Sequence, residues 1–363
     1  VKHIDEFRNA RACRALMERI AAQVRRPVRI MEVCGTHTHA IARSGIGSAL
    51  PASIRLLSGP GCPVCVTSPG DIDAIEDLAG RPEVDVYTFG DMMRVPGSRG
   101  SLAEARAQGG CVHVCYSPTE AVEAAAAAPG RQVVFVATGF ETTAPATACA
   151  LRDAKGLGLG NFSAFIAHKL IPPAMEALLA SGEVSIDAFL CPGHVSVIVG
   201  ADSYRAIAER YGRPCVVAGF EPTDILQAIA TVLEMIAEGD AGVAVQYTRA
   251  VRREGNAKAR RMVDEVFEPA SPHWRGLGPV PGGGLRLREA YAALDAVRRF
   301  GLDVGPGAED PSCACGAVLR GALEPEECGA FATTCTPDRP AGPCMVSTEG
   351  ACAARFRYGR AGR

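Results

Sequence analysis

The chain has 363 residues, 48% of them apolar and 21% charged, with a formal net charge of -2. That balance excludes a disordered chain, and the near-neutral charge excludes a global electrostatic pull toward nucleic acid or an anionic membrane. Fifteen cysteines, an odd and large number, point to metal or redox chemistry if the thiols are kept reduced.

In chain order, HIDEFRNARACRALMERIAAQV reads as a charged helix, without the apolar run of a signal peptide. No later stretch reaches about 18 uninterrupted apolar residues, so a cytoplasmic setting with no membrane span is expected. Short β-branched runs then alternate with helical patterns: VRIMEV, IRLLS, VDVYTF, VVFVAT, FSAFIAH, IDAFLC, CVVA and VAVQY. Such alternation predicts an α/β protein with parallel sheets covered by helices. An internal echo, VATGFETT at Val136 to Thr143 against VAGFEPT at Val217 to Thr223, supports two such units. The Gly-rich DAKGLGLGN, Asp153 to Asn161, reads as the joint between them and lacks a phosphate-loop pattern.

From Thr248 the character changes to a basic helix, TRAVRREGNAKARRMVDEVF, then a PHWRGLGPVPGGG loop and a helix over LRLREAYAALDAVRRF. The basic helix reads as a solvated face or as a partner-docking surface. The division expected is an N-terminal helix over 1–26 packing with the C-terminal domain, and α/β domains over 27–152 and 153–247. A helical, cysteine-rich domain over 248–363 completes it.

Several motifs carry chemistry. MEVCGTHTHAI brings Cys34, His37 and His39 to a strand end where a helix begins, a thiol and two imidazoles that could bind a borderline-soft metal. Either histidine alone also reads as a helix-terminal hydrogen-bonding group. GPGCPVCVTSPGDIDAIEDLA sets Cys62 and Cys65 after a strand, with Ser68 as N-cap and Pro69 at the first helical position. Amide donors and a positive helix end stabilise thiolates there, which suits redox exchange or metal capture; half of a structural zinc site is the alternative. TFGDMMRVPGS and CPGHVSVIVG put Asp91, Arg94, Cys191 and His194 at strand ends. Asp91 reads as functional or as a turn cap, and His194 as a proton donor or acceptor or as a partner of backbone carbonyls. Cys13, Cys111, Cys115, Cys149 and Cys215 read as small core residues.

The C-terminal run places Cys313, Cys315, Cys328, Cys335, Cys344 and Cys352 among too few large aliphatic residues to fold on packing alone. A metal is the natural organiser of such a segment. Tetrathiolate coordination suits zinc or an iron–sulfur cluster, with plain buried or free thiols as the remaining alternative, and the irregular spacing departs from the paired C-x2-C knuckles of a zinc ribbon.

Taken together and in order, EVCGTHTHAI, LLSGPGCPVCVT, TFGDMMRVPGS, ATGFETTAP, CPGHVSVIVG, VAGFEPTDILQ, FEPASPHWRGLG and CMVSTEGACAA resemble the HypD family of hydrogenase maturation proteins over nearly the whole chain. The resemblance implies two similar parallel-sheet α/β domains plus a smaller, mainly helical iron–sulfur domain. It implies a scaffold and redox protein in place of a conventional turnover enzyme. On it, in complex with the chaperone HypC, iron receives carbon monoxide and two cyanide ligands for a nickel–iron hydrogenase, with HypE as cyanide donor. Cys34 is then similar to the cysteine that helps hold this iron, and Cys62 and Cys65 to a redox-active pair that also contacts it. His37, Asp91, His194 and Glu349 fall on positions that the family treats as functionally important. For a [4Fe–4S] cluster the resemblance is read as Cys315, Cys328, Cys335 and Cys352, leaving out Cys313 and Cys344. Two rival functions remain: a free-standing iron–sulfur thiol–disulfide reductase and a zinc-stapled binding module. Cys34 with His37 argues against the reductase, which needs only the C-x2-C pair and a cluster.

Overall fold

Every β-branched run named above forms a strand: β1 Val28–Glu32, β2 Ile54–Ser58, β3 Val84–Thr88, β5 Gln132–Gly139, β6 Phe162–His168, β7 Ala188–Pro192, β8 Cys215–Ala218 and β9 Val243–Val245. Within the two parallel sheets one strand, β4 Val112–Val114, was not foreseen, because three residues are too few to show a period. The computed structural model describes residues 5–359, so residues 1–4 of the expected N-terminal segment and 360–363 of the expected C-terminal domain lie outside it.

The strands form two parallel sheets, ordered β2-β1-β7-β8-β9 and β4-β3-β5-β6, with helices covering them. The α/β class with two parallel sheets is as expected, and the division of the chain is not. β1 and β2 pair into the sheet of β7, β8 and β9, while the intervening β3 to β6 make the other sheet, so the two units do not meet at residue 153. DAKGLGLGN accordingly ends the helix Ala144–Gly156 and leads from β5 to β6 inside one sheet. Strand and helix alternate identically in both sheets, and alternation alone does not say which strands pair. Numbered along the chain within each sheet, both orders begin 2-1-3-4, reversing direction between β1 and β7 and between β3 and β5. The VATGFETT and VAGFEPT copies follow the third strand of one sheet and the fourth of the other, so the echo does not mark equivalent places.

Two further expectations are corrected. The N-terminal helix Ala10–Gln23, capped by Asn9, lies on the helix Pro222–Glu238 beside the first sheet and not on the C-terminal domain. Its Ile20 joins the core of Ile225 and Ile229, and Arg8 and Arg19 pair with Glu221 and Glu234. Much of residues 257–300 packs on the second sheet and not with the cysteine-rich segment, which residues 274–276 do touch. Phe267–Ala270 pairs antiparallel with Gly284–Leu287, and Val266, Phe267, Leu285 and Leu294 pack with Leu151 and Phe162 against the second sheet. The basic helix is confined to Ala257–Val266, and only Ala296–Phe300 of the expected helix over LRLREAYAALDAVRRF is α-helical. What remains among the described residues, from Cys313 onward, is three short α-helices, Cys315–Leu319, Pro343–Val346 and Ala351–Tyr358, and a 3-10 helix, Pro325–Glu327, joined by turns.

Candidate functional site

A cleft of about 440 Å3 opens where both sheets reverse their strand order, lined by Thr36 and Gly61 beyond β1 and β2, His194 beyond β7, Asp91 beyond β3 and Thr138 of β5. Ligands of open α/β sheets bind outside the carboxyl ends of the strands at such reversals. Ser347 and Glu349, from the cysteine-rich segment, complete the wall.

Cys34 sits at the N-cap of the helix Gly35–Ser44, buried, with its sulfur 3.9 Å from His194 Nδ1. Burial, reinforced by the Glu32 and Glu349 carboxylates, pushes this thiol well above its ordinary range. His37, on the first turn of that helix, is also buried, with Nε2 2.9 Å from the Gly219 carbonyl. Burial lowers both His37 and His194 to about 4, so both rings are neutral near pH 7. With Nε2–H donating to Gly219, His37 Nδ1 keeps a lone pair, and it has no hydrogen-bond partner among the described residues. Phe220, from the VAGFEPT motif, packs tilted against both imidazoles, with ring centroids 5.0 Å from His37 and 5.2 Å from His194.

The C-x2-C loop is pressed onto Cys34. A Cβ on Gly61 would lie 2.0 Å from the Cys34 nitrogen, so only glycine lets the two chains approach, and Gly35 N–H donates to Gly61 O at 2.7 Å. Cys62 and Cys65 are buried and joined by a disulfide, Cα–Cα 5.2 Å, on the four-residue helix Pro63–Val66. Ser68 and Pro69 begin the next helix as expected, with Asp71 closing a reciprocal capping box.

The C-terminal segment ties the site together. Thr36 Oγ1 donates to Glu349 Oε1 at 2.6 Å, Ser347 Oγ donates to Asp91 Oδ2 at 3.2 Å, and Glu349 N–H donates to Ser347 Oγ at 3.3 Å. Asp91 thus receives a hydrogen bond from the tail as well as sitting in a 3-10 turn. Cys65 Sγ lies 3.8 Å from the carbonyl of Pro343, the residue before Cys344. All six C-terminal cysteines line one small cavity walled by Val318, Phe331 and Met345, with Cys315 and Cys344 sulfurs 2.8 Å apart. Among the described residues no three His, Cys, Asp or Glu side chains converge tightly enough for a single metal ion. Six thiols around one apolar cavity fit the donor chemistry of a multi-iron cluster, whose ligands stand around a larger body.

Other expected residues go elsewhere. His39 turns to the Thr348 carbonyl and Tyr358, Arg94 donates to the Pro337 carbonyl, and Cys191 is buried beside Cys215. Cys115 and Cys215 are core residues and Cys13 is half-buried, but Cys111 and Cys149 are exposed. The sequence reading missed Glu32, the last residue of β1, whose carboxylate accepts from Cys34 N–H at 3.0 Å and from Thr38. Burial pushes it up to about 8. The signal was available: an acid inside the apolar run VRIMEV.

A family model named HypD, described as "Hydrogenase formation hypA family", matches residues 11–359. The chain is 50% identical to the hydrogenase maturation factor HypD of Azotobacter vinelandii, over 99% of this chain and 97% of the relative. It is 46% identical to that of Cupriavidus necator and 42% to that of Escherichia coli, in each case over 99% of this chain and 98% of the relative.

Proposed function

The chain belongs to the HypD family, with a role in hydrogenase maturation, and we propose that its cleft is where hydrogenase iron receives carbon monoxide and two cyanide ligands. The chaperone HypC is the proposed partner and HypE the proposed cyanide donor, in a cytoplasmic setting that keeps thiols reduced. The observation that carries this reading is the buried Cys34 thiol, set at a strand-order reversal between a C-x2-C pair and two neutral imidazoles.

In this reading the iron is cargo. Cys34 binds it as thiolate, so its proton must leave, and His194 Nδ1 is the nearest acceptor. Cys62 and Cys65 also contact the iron once reduced; opening their disulfide takes two electrons and two protons and yields two thiols. His37 offers a buried lone pair, while Glu349 and Asp91 hold the tail across the cleft. Cys315, Cys328, Cys335 and Cys352 are proposed to hold a [4Fe–4S] cluster, which would supply one-electron chemistry beside the disulfide. Cys344, between Cys315 and Cys352, is the competitor for a place in that set.

The test is infrared spectroscopy of the protein purified anaerobically with its chaperone. Cys34→Ala should abolish the cyanide and carbonyl bands while leaving iron–sulfur content and thermal unfolding unchanged. Bands that survive the substitution would return Cys34 to a packing role and favour the reductase.

A further inference from the structure

The PHWRGLG motif has no part in the cleft, yet it is built into the fold between the two cysteine sites. Thr67, two residues past Cys65, bridges to Trp274, and Arg275 N–H donates to the Val66 carbonyl at 2.9 Å. Trp274 is buried, with Nε1 donating to Gly283 O at 2.9 Å. Gly276, at φ +80°, lies so close to the helix Cys315–Leu319 that a Cβ on it would stand 2.6 Å from Gly316 Cα. Arg275 is therefore clamped with the C-x2-C helix end on one side and the cysteine-rich helix on the other.

The residue is 4% exposed. Nε donates to Thr67 O at 3.0 Å and Nη2 to Pro96 O at 2.6 Å, both neutral carbonyls. Among the described residues no carboxylate lies within ion-pair distance of it, and Glu309, the acid acting on it, has Oε1 bonded to Gly276 N–H at 3.2 Å. The other groups acting on the guanidinium are Cys315, Cys344 and Cys313. A buried cation costs several kcal/mol unless an anion or strong dipoles face it; here two backbone carbonyls do, and Cys315, proposed above as a cluster ligand, stands on the helix pressed against Gly276.

We propose that Arg275 is a fixed positive charge that sets the reduction potential of the C-terminal iron–sulfur site. This rests on the cluster reading above. A thiolate-bound cluster gains one negative charge with each electron, so a buried cation beside it favours the reduced state and raises the potential.

The test is a potentiometric titration, followed by electron paramagnetic resonance, of the anaerobic full chain and of Arg275→Gln and Arg275→Lys. Iron and acid-labile sulfide are measured first; their absence from the unsubstituted protein is a failure of the cluster reading and removes the proposal with it. With cluster present, Arg275→Gln should lose at least tenfold in the one-electron reduction equilibrium constant, a fall of 59 mV. Arg275→Lys, which keeps the charge and loses the paired hydrogen bonds to Thr67 O and Pro96 O, should stay near the unsubstituted value. A cluster in Arg275→Gln at unchanged potential overturns the proposal, even with a lowered melting temperature, because that pattern is a packing role. If Arg275→Gln assembles no cluster, Arg275→Lys decides: an unchanged potential upholds the charge, and a tenfold loss overturns it.

Discussion

Glu141, inside the ATGFETT motif, is a buried carboxyl with one oxygen accepting from Ile171 N–H at 2.9 Å and the other without a partner among the described residues. Burial pushes it up to about 7 from 4.5. Between those values the folded chain keeps a proton that the unfolded chain has released, so this group makes stability fall as pH rises through the window. Glu141→Gln keeps an acceptor for Ile171 and removes the titration. Its unfolding free energy, measured in urea across this window, should lose that downward slope relative to the parent, by up to about 1.4 kcal/mol per pH unit. Buried His168, lowered to about 4, acts with the opposite sign but is common to both proteins and cancels in the difference. Parallel pH profiles would mean the carboxyl is already ionised in the fold. At this scale the sequence was most legible where a reactive residue type stood at a strand end, as with Cys34, Asp91 and His194. Glu32 was legible only as an acid inside an apolar run, and Glu141 escaped because its burial comes from the tertiary fold, which residue type alone does not announce.

At the scale of elements, eight strands could be read because parallel strands covered on both faces are continuous β-branched runs. The misreading fell on LRLREAY, whose alternating apolar and charged residues fit period two as well as a helix, and tertiary pairing with Phe267–Ala270 decided for the strand Gly284–Leu287. The helices of the cysteine-rich segment are short, Cys315–Leu319 and Pro343–Val346 among them. Such helices are marginal on their own. Cys328→Ser or Cys335→Ser should therefore lose iron, sulfide and the cooperative unfolding of the segment together. A parallel comparison of Cys315→Ser with Cys344→Ser settles the contested place. Iron retained in Cys344→Ser and lost in Cys315→Ser keeps the proposed set, and the reverse exchanges the two residues.

For the molecule as a whole, pairing order was the part hidden from sequence, since β1 finds β7 only after a complete second sheet has intervened. That order is what builds the cleft: one wall comes from each strand reversal, and neither sheet alone carries Cys34, Asp91 and Glu349. The third part, the C-terminal tail, is fastened to the first sheet through Thr36 and Glu349 and to the second through Ser347 and Asp91. Ser347 is the pivot, because its buried hydroxyl donates to Asp91 and accepts from Glu349 N–H. Ser347→Ala removes both bonds and leaves Asp91, which is exposed, and Glu349 N–H to water, at a cost of about 0.5–1.5 kcal/mol for each bond. The loss should be local. Hydrogen exchange should quicken in the helix Ala351–Tyr358 while β1 and β5, inside their sheets, keep their protection. If exchange in that helix stays at the parent rate, or if β1 and β5 loosen with it, the tail is held by its packing against Gly35 and not by the Ser347 bridge.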